Sequence, residues 1–156
     1  MSSCDGCGAR RDFLKQAAGA LTGLWLVGKA PPVFASGQRS SNSEDVSYPT
    51  PTGDGVTIDK TNEVILVRQG KNVMAFALSC PHQRTVLKWI DEDHRFQCPK
   101  HKSRYQPTGE FISGRATRNM DRYPIRRDGS NVVVNIDVTI ESDKDGKVWG
   151  AAIVVV

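Results

Sequence analysis

Two short stretches, Cys80-Pro81-His82 and Cys98-Pro99-Lys100-His101, constrain this chain more than any other feature of its 156 residues. Each supplies one thiol and one imidazole, each has a proline beside its cysteine, and fifteen residues separate them. Thiolate sulfur is a soft ligand that suits iron–sulfur clusters, zinc and copper, whereas imidazole suits zinc, copper and iron. Two mixed pairs in tight turns therefore suit a site that holds two metal ions differently, sulfur on one and nitrogen on the other. The alternative is a structural zinc bound by all four side chains, since the ligand types fit a tetrahedral ion. Zinc motifs, however, usually pair like with like, at spacings of about two to five residues. A Cys80–Cys98 disulfide would leave both histidines unexplained.

The pattern C-x-H, fifteen residues, C-x-x-H resembles the Rieske family, in which two histidines replace two cysteines on one iron of a 2Fe–2S cluster. The resemblance implies that Cys80 and Cys98 hold one iron, and that His82 and His101 hold the other at an exposed tip. It implies an all-β fold, an antiparallel barrel-like base with a cluster-binding subdomain inserted at about 79–112. An imidazole on ferric iron has its remaining N–H acidified, so electron and proton uptake would couple there. High-potential members carry a serine two residues and a tyrosine four residues after the second histidine, donating to a bridging sulfide and a cysteine sulfur. Ser103 and Tyr105 stand at those positions. As residue types alone they also read as a turn serine and a core tyrosine.

The departures from the family pattern are informative. High-potential members usually have a further cysteine in each ligand loop, joined as a disulfide, where this chain has Thr85 and Lys100. The glycine after the second histidine is Lys102, and the covering Gly-Pro-Ala loop reads Gly114-Arg115-Ala116. The loops must then be held by packing. The reduction potential is expected between the extremes of roughly −150 and +300 mV that such centres cover.

Strand and turn signals support the all-β reading without the resemblance. Glu63–Arg68 and Asn72–Leu78 flank Gln69-Gly70-Lys71, and Arg122–Arg127 and Asn131–Val138 flank Asp128-Gly129-Ser130, two hairpin patterns. Val148–Val156 reads as a last, valine-rich strand. Nothing after residue 36 sustains a helical apolar period. The domain is expected over 48–156, behind a polar tether at 36–47.

The N-terminus reads as an address. Arg10-Arg11-Asp12-Phe13-Leu14-Lys15 resembles the bacterial twin-arginine export signal, and an Ala- and Gly-rich run, Ala17–Val27, follows it. That run is short of the ~20 residues a bilayer span requires, and Val33-Phe34-Ala35 offers small residues for signal cleavage. Residues 1–35 are therefore expected to be a cleaved signal, with retention of 13–35 as a membrane anchor the competing version. Export of this kind carries folded proteins to the periplasm, which suits a cluster inserted beforehand. Cys4 and Cys7 precede the arginines and receive no role.

Several function classes are excluded. With His82 and His101 on the cluster, only His94 remains, so a two-histidine, one-carboxylate iron cannot be assembled within the chain. No C-x-x-C-H stretch offers covalent haem attachment. Removing the four basic and two acidic residues ahead of position 36 from totals of 21 and 17 leaves a net of +2, which gives nucleic-acid binding no support. Arg84, Lys88, Lys100, Lys102 and Arg104 nevertheless gather on the ligand loops, either as a solvated face or as a docking surface for an acidic partner. The expected role is electron transfer to a redox protein, a cytochrome or an oxidoreductase subunit, with a quinol as the alternative donor. Membership of a quinol–cytochrome c oxidoreductase or an arsenite oxidase is the variant of this reading. A zinc-stabilised binding module is the reading from another class.

Overall fold

The computed structural model describes residues 44–156. The expected export signal or anchor, Cys4, Cys7 and the tether up to residue 43 lie outside them. The strands follow one another as β1 Asp45–Pro49, β2 Gly55–Asp59, β3 Val64–Gln69, β4 Asn72–Ala77, β5 Lys88–Ile90 and β6 Arg95–Gln97. They continue with β7 Arg104–Tyr105, β8 Phe111–Ser113, β9 Ile125–Asp128, β10 Asn131–Asn135, the short helix α1 Gly146–Ala151 and β11 Val154–Val155. Three antiparallel sheets result, ordered β1-β10-β9, β11-β4-β3-β2 and β5-β6-β7-β8.

The β3–β4 hairpin is the hinge of this arrangement because both of its faces are covered. Its strands pair from Val64–Ala77 to Gln69–Asn72, closed by Gly70 and Lys71, with Gly70 at φ 59°. Successive side chains on a strand point to opposite faces. Val64, Leu66, Val73, Ala75 and Ala77 accordingly pack against Tyr123, Val132 and Val134 of the first sheet's side. Ile65, Val67, Met74 and Phe76 face the other way, into a core shared with Leu87, Phe96, Tyr105 and both cysteines. Burying such a side chain stabilises by about 1.5–3 kcal/mol, so the loops carrying Cys80 and Cys98 are tied to the sheet by apolar packing.

Two expectations are corrected. The tether does not extend to residue 47: Asp45–Pro49 is a strand paired with β10, and its partly buried Val46 and Tyr48 alternate with exposed neighbours. Tyr48 also donates to Asp59 at 2.9 Å, which fastens β1 to the second sheet. The second correction is at the C-terminus, where Val148–Val156 is not one strand. Asp145 caps α1 by accepting the Val148 N–H, and Trp149 is buried with its indole N–H on the Met120 carbonyl at 2.7 Å. Only Val154–Val155 pairs, with β4. Burial of one large aromatic outweighs the strand preference of its valine neighbours.

Candidate metal centre

The two ligand loops adopt one conformation from dissimilar sequences. In each, the cysteine N–H donates to a carbonyl beyond the loop, Cys80 to Thr85 and Cys98 to Ser103, both at 2.8 Å. Arg84 and Lys102 then donate back to the cysteine carbonyls at 2.8 and 3.0 Å. Both of these residues lie in the left-handed region, φ 49° and 59°. A non-glycine residue costs about 1–2 kcal/mol there.

The repeat separates sulfur from nitrogen. Cys80 and Cys98 are fully buried and unlinked, in contact with the apolar core. His82 and His101 are half-buried at the rim, with their Nδ1 atoms 3.2 Å apart and the rings at 90°. A tetrahedral ion with bonds of about 2.0–2.1 Å to nitrogen would hold two such atoms about 3.3 Å apart. The spacing therefore fits one ion between the imidazoles. Burial, then the neighbouring His82, Lys100 and Arg115, lowers the pKa of His101 from its usual value, the direction that favours the neutral ring. Among the described residues no three His, Cys, Asp or Glu side chains surround a single point.

Two hydroxyls complete the buried side. Tyr105 is wholly enclosed, with Oη 3.3 Å from Cys80 Sγ. Burial, reinforced by Cys80, raises its pKa far above the ordinary tyrosine value, so its proton stays in place to donate to a thiolate. Ser103, also fully buried, accepts the backbone N–H groups of Arg115 at 3.1 Å and Ala116 at 3.0 Å. With both lone pairs occupied, its remaining capacity is to donate. Gly114, at φ 117°, allows the close approach: a Cβ there would lie 2.8 Å from Ser103 N and closer still to its Cα. Buried sulfur, converging imidazole nitrogen and two hydroxyl donors fit a 2Fe–2S cluster.

The loops carry no second cysteine pair; Thr85 and Lys100 stand at the positions expected for one, the hydrogen bonds above close each loop on itself, and both cysteines pack into the apolar core. Arg84, Lys88, Lys100, Lys102 and Arg104 are all exposed, and none joins an ion pair among the described residues. His94 stays apart from the ligands, lining an open pocket with Trp89, Asp91 and Arg68.

Sequence reasoning missed Arg122, which is buried without a carboxylate partner. It donates to the Trp149 carbonyl at 2.7 Å and the Thr108 carbonyl at 2.9 Å, and lies 3.8 Å over the Trp149 ring. Burial pushes its pKa down to about 10, which still leaves it charged at neutral pH. Its neighbours in sequence, Asp121 and Tyr123, show no period that would have revealed it.

Comparison with known proteins identifies the family. Residues 39–124 match the family model of the Rieske [2Fe-2S] domain. The chain is similar to the cytochrome b6-f complex iron-sulfur subunit of Chlorobaculum thiosulfatiphilum, 28% identical over 135 residues, spanning 81% of this chain and 75% of that one. The subunit of the same name from Synechococcus sp. (strain CC9605) is 26% identical over 77% of this chain and 66% of its own. Among solved structures, the plasma membrane Rieske protein PetC3 from Synechocystis PCC 6803 covers 51% of this chain and 83% of its own at 24% identity and a TM-score of 0.44.

Proposed function

Since this chain belongs to the Rieske [2Fe-2S] domain family and carries electrons on a 2Fe–2S cluster, we propose that Cys80 and Cys98 bind one iron through sulfur and His82 and His101 bind the other through Nδ1. The observation that carries this assignment is the 3.2 Å approach of the two Nδ1 atoms at the rim, above two buried, unlinked thiols. The cluster supplies a reversible one-electron store. Tyr105, by donating to Cys80 Sγ, favours the more negative reduced form and raises the potential. Ser103, with only its proton left to give, acts in the same direction. The half-buried imidazoles form the face through which electrons leave.

The exposed cations beside that face suit a redox partner with an acidic docking surface, because complementary charge speeds encounter. A place as the iron–sulfur subunit of a membrane complex is favoured by the relatives' names, cytochrome b6-f complex iron-sulfur subunits, over most of the chain. Export by the twin-arginine segment, and residence in the periplasm or at its membrane, complete the proposal.

Metal analysis of the purified chain tests the assignment. Two irons and two acid-labile sulfides per chain are expected, with an EPR signal on reduction that Cys98→Ser abolishes. A single zinc, with no reduced-state signal, would overturn it.

A further inference from the structure

We propose that the open pocket at Trp89 is a second electron port, where a donor with a positively charged contact surface passes one electron to the cluster through the row Trp89–Phe96–Tyr105. This rests on the functional reading above, in which Cys80 binds one iron. In the third sheet Trp89 stands opposite Phe96, and Phe96 opposite Tyr105. Directly opposed residues share a face, so the three rings form one row across three strands, about 10 Å between its outer backbones. The indole and the Phe96 ring have centroids 4.8 Å apart, Phe96 and Tyr105 are fully buried, and Tyr105 Oη lies 3.3 Å from Cys80 Sγ. The outer end is half-buried: Trp89 lines a pocket of about 450 Å³, with the exposed His94 ring edge-on at 6.4 Å. Electrons tunnel through packed atoms far better than across gaps, and this row is packed from the pocket to a sulfur ligand. The donor loses one electron and the cluster gains it, with no bond made or broken; the electron later leaves by the imidazole face.

Charge selects the donor. Asp54 and Asp91 line the pocket, each holding one N–H with a single oxygen, that of Gly70 at 2.7 Å and the Trp89 indole at 3.1 Å. Glu92 is exposed in the same turn as Asp91 and joins no ion pair among the described residues. Asp93 is neutralised by Arg95 at 2.7 Å. Arg68 is the one lysine or arginine in the lining, and its guanidinium is turned onto the Gly70 and Pro51 carbonyls. Lys88 precedes Trp89 on the strand and so points to the opposite face. The pocket is therefore negative where the imidazole rim is positive, and a cationic donor is drawn to one and repelled by the other. Donor and acceptor then dock on different faces and need not exchange places.

The experiment uses the full chain carrying its cluster and two one-electron donors of like structure and opposite charge. These are the methyl viologen radical cation and the propyl viologen sulfonate radical anion, with cluster reduction followed by stopped flow. Trp89→Leu is expected to slow reduction by the cation at least about fivefold and to leave reduction by the anion, which enters at the cationic rim, unchanged. Trp89→Phe, which keeps a ring in the row, should stay close to the native rate with both donors. An unchanged rate with the cation, or equal slowing with both donors, would overturn the proposal. If Trp89→Leu fails to fold, a D54N/D91N double variant decides, since asparagine keeps the acceptor oxygens and removes the charge. A fall of at least about threefold at low ionic strength is expected with the cation alone, and an unchanged rate overturns the proposal. A native preparation without iron would instead count against the functional reading.

Discussion

At the scale of single residues, the site works by giving each polar atom one available task. Tyr105 is held protonated by burial and has Cys80 Sγ as its partner, so Tyr105→Phe removes one hydrogen bond that strengthens as negative charge arrives. A differential of about 1 kcal/mol corresponds to a fall in potential of roughly 40–60 mV for one electron, readable by voltammetry. An unchanged potential would mean that the hydroxyl does not reach the sulfur in the loaded protein. Arg84 and Lys102 make a different point. Both occupy left-handed backbone that glycine adopts freely. Lys102→Gly should therefore raise stability to chemical denaturation by up to about 1 kcal/mol, the strain relieved exceeding the entropy added to the unfolded chain.

At the scale of elements, the molecule depends on what locks one sheet to the next. Arg122 joins the β4 side, the 108 turn and α1, bonding Thr108 and Trp149 and lying against Phe76 and Trp149. Arg122→Leu removes the hydrogen bonds to the Thr108 and Trp149 carbonyls and the contact with the Trp149 ring and is predicted to cost about 2–4 kcal/mol, measured by denaturant unfolding. Gly114→Ala drives a Cβ into the Ser103 backbone and should cost at least about 2 kcal/mol while lowering the potential. How much of this was legible varies with its physical origin. The two glycine turns between runs rich in valine and other apolar residues announced both hairpins, because turn chemistry and strand preference are local. The C-terminal helix did not announce itself: Trp149 is pulled out of a valine-rich run by the distant Met120 carbonyl and Arg122 guanidinium. The β1 strand hid in a polar segment because its alternation extends only over Val46 and Tyr48, and its partner β10 is far along the chain. At the centre, ligand spacing pointed to the paired loops, whereas the matching left-handed residues at 84 and 102 have no sequence signature when neither is glycine.

At the scale of the whole molecule, the described domain is polarised from a dry interior to a charged rim. Phe76, Phe96 and the cysteines form one continuous core, and the imidazoles sit where that core meets the exposed cations. Electron transfer to an acidic redox protein should slow as ionic strength rises, since added salt screens such encounters within about 10 Å at 0.1 M. A Lys100→Glu, Lys102→Glu double variant should flatten that dependence in stopped-flow kinetics. The central claim is the mixed ligation itself, sulfur inside and nitrogen outside. Pulsed EPR of the reduced protein with 15N-labelled histidine tests it most directly. Two histidine nitrogens coupled to the cluster are predicted, retained in His94→Gln; a cluster with no histidine coupling would contradict the account.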